Sequence, residues 1–181
     1  MAMGARREWI WVAAASLSAA LLTAPAAAEI LLIGNKGEDT VSFVDLASGR
    51  ECARVATGRQ PHEIALSPDG RQAAVVAYGG TTIDIFDIAR RQLVKRIDLS
   101  PAGSPHGIIW LRNGRIAIAA ERSRSVELVD PRTGAVRSTP LDQARTHMLA
   151  VSPDQGTAYA ANVIAGTISV VDLRKGAKLA D

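Results

Sequence analysis

A ten-residue unit that returns along the chain constrains this protein more than any other feature. Pro61-His62-Glu63-Ile64-Ala65-Leu66-Ser67-Pro68-Asp69-Gly70 is answered by Pro105-His106-Gly107-Ile108-Ile109-Trp110-Leu111-Arg112-Asn113-Gly114, and again by Thr146-His147-Met148-Leu149-Ala150-Val151-Ser152-Pro153-Asp154. Each copy reads as a polar corner, a histidine, a short apolar strand and a tight turn. The 3 histidines of the chain all occupy this one repeat position, 44 and 41 residues apart. A second anchor keeps the same period. Val41-Ser42-Phe43-Val44-Asp45, Ile83-Asp84-Ile85-Phe86-Asp87, Val126-Glu127-Leu128-Val129-Asp130 and Ile168-Ser169-Val170-Val171-Asp172 each place a strand before an aspartate. A period of this length matches a four-stranded propeller blade, a unit that cannot bury both faces without neighbours.

The runs between the anchors read as strands. The second unit predicts strands at residues 63–67, 72–77, 83–88 and 93–99. The third predicts 107–111, 115–120, 126–130 and 136–139. The fourth predicts 148–152, 157–161 and 168–172, with only 177–181 left for its last strand. The first unit starts at 29–35, continues at 41–46 and 50–56, and lacks an innermost strand. Its Ile30-Leu31-Leu32-Ile33 run predicts a strand buried on both faces. Pro68-Asp69-Gly70, Gly79-Gly80 and Asn113-Gly114 supply tight turns. No helical period appears beyond the first 28 residues. The expected fold class is therefore all-β: a β-propeller of four-stranded antiparallel blades, with about three and a half blades present.

Residues 1–28 read as a signal peptide and 29–181 as the propeller domain. Arg6 and Arg7 give a charged start, Trp9 to Leu22 an apolar core, and Ala24-Pro25-Ala26-Ala27-Ala28 a small-residue exit before Glu29. The core is short for a membrane span, so no stable anchor is expected after cleavage. The pair lacks the flanking residues of a twin-arginine signal, and ordinary secretion to the periplasm or the exterior is the expectation. Formal net charge is +3, with the basic residues dispersed, which argues against a nucleic-acid partner. Cys52 is the only cysteine, so no internal disulfide forms; it reads as a small residue on a strand.

These motifs resemble the YVTN-repeat β-propellers, the YncE-like family. The likeness rests on Asp45-Leu46-Ala47-Ser48-Gly49, Gly58-Arg59-Gln60-Pro61-His62 and Ser67-Pro68-Asp69-Gly70, with Tyr159-Ala160-Ala161-Asn162 standing where the naming Tyr-Val-Thr-Asn tetrad would be. It covers about residues 30 to 175 and is specific for fold rather than activity. The resemblance implies the N-terminal part of a larger, seven-bladed ring. Self-association, or pairing with the missing half-propeller, follows as an expectation.

Candidate site residues are few. His62, His106 and His147 precede the strand nearest the channel in this kind of fold. They could take a divalent metal or touch an anionic ligand at the channel mouth. The competing reading is a repeat residue that ties the inter-blade loop, as a histidine does in WD-repeat propellers; one fold-wide need explains all three copies. On that reading adjacent blades hold the imidazoles too far apart to share an ion, and no cofactor is expected. Glu63 and Glu121 are singular rather than repeated, which makes them candidates for specific work, though the sequence places no acid/base partner beside either. Asp45, Asp87, Asp130 and Asp172, with Asp69 and Asp154, read as turn-formers. Nucleophile-elbow, phosphate-loop and haem-attachment motifs are missing. The expected function is a periplasmic binding or scaffold module for a protein or small ligand. The alternative is a propeller enzyme, or a dehydrogenase- or lactonase-like subunit, using a metal or cofactor at the channel mouth.

Overall fold

A computed structural model describes residues 29–181, in which the repeat becomes four antiparallel sheets. Blade 1 contains β1 (Ile30–Asn35), β2 (Thr40–Asp45) and β3 (Arg50–Ala56). Blade 2 contains β4 (Pro61–Leu66), β5 (Gln72–Ala77), β6 (Thr82–Asp87) and β7 (Gln92–Asp98). Blade 3 contains β8 (Pro105–Trp110), β9 (Ile116–Ala120), β10 (Ser125–Val129) and β11 (Val136–Pro140). Blade 4 contains β12 (Thr146–Val151), β13 (Thr157–Asn162), β14 (Thr167–Asp172) and β15 (Ala177–Ala180). Strands pair in simple chain order within each blade. No helix forms among the described residues. The all-β expectation holds, and the short β15 completes blade 4 by pairing Asp172 with Ala177 and Val170 with Ala180. The signal-peptide reading of residues 1–28 lies outside the described residues.

Turn chemistry sets the blade outlines. The Asp45 carboxylate accepts from the backbone N–H of Ser48 at 2.8 Å, Asp87 from Arg90 at 2.8 Å, Asp130 from Arg132 at 2.9 Å, and Asp172 from Lys175 at 2.9 Å. Asp69 and Asp154 act likewise in the turn after the inner strand, accepting from Arg71 and Gly156. All six carboxyls are held below the usual range: Asp45, Asp69 and Asp154 first by the hydroxyls of Ser48, Ser67 and Ser152, and Asp87, Asp130 and Asp172 first by the backbone N–H groups of Arg90, Thr133 and Lys175.

Three apolar clusters join the blades. Phe43 and Phe86 meet edge to face, centroids 6.2 Å apart, between blades 1 and 2. Ala74, Val76 and Ile83 meet Ile116, Ile118 and Ala120 between blades 2 and 3. Ala117, Val126 and Leu128 meet Ala158, Ala160 and Val171 between blades 3 and 4. Cations close the outer joints: Lys95 donates to the carbonyls of Pro131 and Arg132 at 3.0 and 2.9 Å, and Arg137 to those of Leu173 and Arg174.

The register shows what the end blades present. β1 lies against β4 as β5 lies against β8 and β9 against β12, so β1 is the counterpart of the second strand of a complete blade. Pairing of Ile30 with Asp45 and of Gln72 with Asp87 makes Leu31 and Ile33 the counterparts of Ala73 and Val75. Val75 is buried in the joint with blade 1, whereas Leu31 and Ile33 are 44% and 41% exposed. The expectation that Ile30–Ile33 is buried on both faces is therefore corrected. Its Ile30 and Leu32 face packs on blade 2, and the other face meets no blade among the described residues. At the far end Tyr159, Ile168 and Val170 occupy the positions of Ala117, Val126 and Leu128. Those three hold blade 4 against blade 3, yet Tyr159 and Ile168 are exposed.

Candidate functional site

The backbone breaks its ladder at each histidine. Pairing with the second strand shifts between Pro61 and Ile64, between Pro105 and Ile108, and between Thr146 and Met148. Such bulges re-aim side chains, and here they bring the three imidazoles together. The ring centroids of His62 and His106 are 4.2 Å apart and those of His106 and His147 are 3.6 Å apart. The expectation that adjacent blades hold the imidazoles too far apart to share a ligand is thus corrected. Gly107 is part of the reason. A Cβ there would lie 2.8 Å from the His147 carbonyl oxygen and 2.9 Å from Met148 Cα, so only glycine lets β12 approach β8 this closely.

His106 sits in the middle of the stack and is buried, with an Nδ1 that has no hydrogen-bond partner among the described residues. Burial first, then the neighbouring His147 and His62, push its pKa down to about 4. It is neutral at physiological pH, with a ring nitrogen whose desolvation nothing among the described residues offsets.

Above the stack runs a second line that the sequence did not disclose. One residue past the second strand, successive blades carry Lys36, Tyr78, Glu121 and Val163, four residue types at one repeat position. The first three join across the blades. Lys36 Nζ lies 4.9 Å from the Tyr78 ring centroid, and the Tyr78 hydroxyl donates to Glu121 Oε2 at 2.9 Å. Glu121 Oε1 pairs with His147 Nδ1, and Arg145 Nε lies 3.4 Å from Oε2. The Glu121 side chain is only 8% exposed. Burial raises its pKa, but the bonds from His147 and Tyr78 and the charge of Arg145 outweigh burial and leave it below the ordinary value. The same bond to Glu121, reinforced by burial, raises the Tyr78 pKa.

Of the residues singled out from sequence, His62, His106, His147, Glu63 and Glu121 all converge here. Glu63 is the looser member, with Oε1 3.5 Å from His62 Nδ1 and a 39% exposed side chain. Glu121, which the sequence left without a partner, has three: Tyr78, Arg145 and His147. Tyr78, Arg145 and Lys36 were missed; their signal was that they are singular at positions the repeat shares. Two overlapping donor sets, His62–Glu63–His106 and His106–Glu121–His147, keep one ligand atom per residue within 4.8 Å of each other. Beside Glu121 a shallow cavity of about 350 Å³ is lined by Arg122, Arg124 and Arg145.

Elsewhere the residues read as structure. Cys52 is exposed at a β3 bulge, with Sγ 3.1 Å from the Phe43 carbonyl. Trp110 packs on the joint of blades 2 and 3 and donates to the Gly114 carbonyl at 3.1 Å. A cavity of about 730 Å³ opens at the other ends of the inner strands of blades 3 and 4. It is larger than the cavity beside Glu121, but its Arg112, Asp154, Gln155 and Arg174 are already tied to one another or to backbone, and no orphaned group faces a ligand there. The histidine rim is the better candidate.

Four sheets packed face to face, three of them starting at the same inner position and blade 1 at the second, define a partial β-propeller module. The comparisons agree. Residues 9–98 match a family model described as YNCE-like beta-propeller, and the likeness read from the motifs holds: this chain is a partial β-propeller that over those residues is similar to the YncE-like family. A solved structure titled Kuenenia stuttgartiensis hydrazine synthase is similar over 83% of this chain, with a TM-score of 0.75 and 25% identity. This chain spans 44% of that chain's length. No curated protein sequence matches.

Proposed function

We propose that this chain is an exported binding module whose histidine rim takes an anionic group from a small ligand or a protein partner. One observation carries the reading. Residues that break the repeat, Tyr78, Glu121 and Arg145, meet at one point, and that point also holds the buried, unsatisfied His106 Nδ1. A fold-wide need accounts for repeated histidines, but it does not account for singular residues that converge on them. Arg122, Arg124 and Arg145 around the adjoining cavity outnumber Glu121 and favour an anion.

Affinity capture from periplasmic extract, followed by elution with carboxylate and phosphate competitors, tests this reading. Competition that disappears in Arg122→Ala/Arg124→Ala supports it; capture indifferent to both competitors counts against it. Export is tested separately, because the leader motif predicts a mature protein that begins at Glu29.

A second reading has its own observation. His147 Nδ1 is held by Glu121, the orientation that leaves the other ring nitrogen to act as a general base. Similarity to a hydrazine synthase chain, an enzyme by its title, is compatible with a subunit or domain of a larger enzyme. Turnover of an ester or lactone panel by wild type, lost in His147→Gln, would favour this reading over pure binding.

A further inference from the structure

We propose that His106, Glu121 and His147 form a binding site for one divalent first-row transition-metal ion of the zinc type. The inference rests on the histidine rim being the working site, and it assigns that site an ion that would itself engage the anionic ligand.

Three observations converge. The donor atoms of the three residues already lie within 4.8 Å of one another. Two donors sharing an ion at ~2.1 Å bonds in a tetrahedron sit about 3.4 Å apart, so closure needs shifts on the order of 1 Å. The set of two imidazoles and one carboxylate is the chemistry zinc takes in sites that keep a fourth position open. Finally, His106 Nδ1 is buried without a partner, and neutral imidazole is the form that ligates metal.

The surroundings also fit. Tyr78 donates to Glu121 Oε2 and Arg145 lies beside it, which fixes the carboxylate as outer partners fix ligands in metal sites. Binding requires the stacked rings of His106 and His147, 3.6 Å apart, to open. The open fourth position then supplies a point for an anion drawn in by Arg122, Arg124 and Arg145. The other donor set, His62–Glu63–His106, shares one residue with this one and has the more exposed carboxylate, so it serves as the internal control.

The test is titration of the chelator-treated full chain with Co²⁺, read by visible absorption, followed by displacement with Zn²⁺. One equivalent of Co²⁺ with tetrahedral-type bands is expected. Glu121→Gln and His106→Ala should each weaken binding at least tenfold, and Glu63→Gln should leave it unchanged. Glu121→Gln keeps the size of the side chain, and a cooperative melt with its midpoint well above the assay temperature shows that loss of binding is not loss of fold. Absence of stoichiometric Co²⁺ uptake, or uptake lost in Glu63→Gln but kept in Glu121→Gln, would overturn the assignment. If Co²⁺ fails to bind while capture still depends on Arg122 and Arg124, the ion falls and the anion-binding function stands.

Discussion

Glu121, one residue past β9 in blade 3, holds Nδ1 of His147 on β12 of blade 4, and with its other oxygen accepts from Tyr78 of blade 2. One carboxylate therefore ties three blades at the inner rim. A hydrogen bond to a charged acceptor contributes about 1.5–3 kcal/mol. Tyr78→Phe should lower stability by about 1–2 kcal/mol, read as a shift in the denaturant midpoint. Phe in place of Tyr78 with no change in the midpoint would show that the bond does not form in solution.

Acid should weaken the fold at the same place. The pKa of His106 is about 4 in the folded chain, against about 6.5 unfolded. Below pH 6.5 the unfolded chain takes up a proton that the folded chain refuses. The stability gap therefore narrows as pH falls from about 6.5 to about 4 and changes no further below that. His62, Glu63, Glu121 and His147 are the charged or titratable groups acting on it. Glu121, held below the ordinary value, adds a loss of the same sign as it protonates at lower pH. For His106 alone the cost at pH 4 is on the order of 3 kcal/mol. Urea midpoints measured in chelator at pH 7 and pH 5 should fall with acid, and His106→Gln should flatten the slope. A midpoint that is higher at pH 5 contradicts the burial of a neutral His106.

Gly107→Ala should separate blades 3 and 4. The added Cβ would meet backbone atoms of His147, Met148 and Leu149 at 2.8 to 2.9 Å, none of which can swing aside. A loss of ~1–3 kcal/mol is expected from the thermal midpoint. Tryptophan emission from Trp110, on the other face of the same blade, should change little. A fully tolerated alanine would mean that the His106–His147 stack is looser than described.

Much of this was legible because it is periodic. Histidines at one position, aspartates at another and Gly-containing turns between them announce four-stranded units. The Asx turns at Asp45, Asp87, Asp130 and Asp172 follow from local chemistry alone. The pairing of Tyr78 with Glu121 and of Glu121 with His147 was hidden because it spans blades. Those residues lie 43 and 26 positions apart, and only the stacking of sheets brings them together. Composition misled in one place. The Ile30–Ile33 run looks buried on both faces because every residue is apolar, but alternation along the strand puts Leu31 and Ile33 on a face that no blade covers among the described residues.

That open face, with Tyr159 and Ile168 at the other end, carries a prediction about association. Leu31 and Ile33 stand at positions that pack on a preceding blade, and Tyr159 and Ile168 at positions that pack on a following one. Burial of such side chains gains ~1.5–3 kcal/mol each, and the edge of β1 away from β2 meets no strand among the described residues. The purified chain should elute with a light-scattering mass above that of a monomer, and Ile168→Lys with Tyr159→Lys should reduce it. A monodisperse monomer with a cooperative melt contradicts this expectation.

The central claim is that residues singular to the rim, rather than the repeat itself, make the site. The most direct measurement compares capture by wild type, by Tyr78→Phe/Glu121→Gln, and by Asp154→Asn/Gln155→Ala at the opposite ends of the inner strands, each checked for an intact fold by its melt. The account predicts that the rim variant loses its bound ligand or partner while the opposite-end variant keeps it. Equal capture by all three proteins, or loss only in the opposite-end variant, would contradict it.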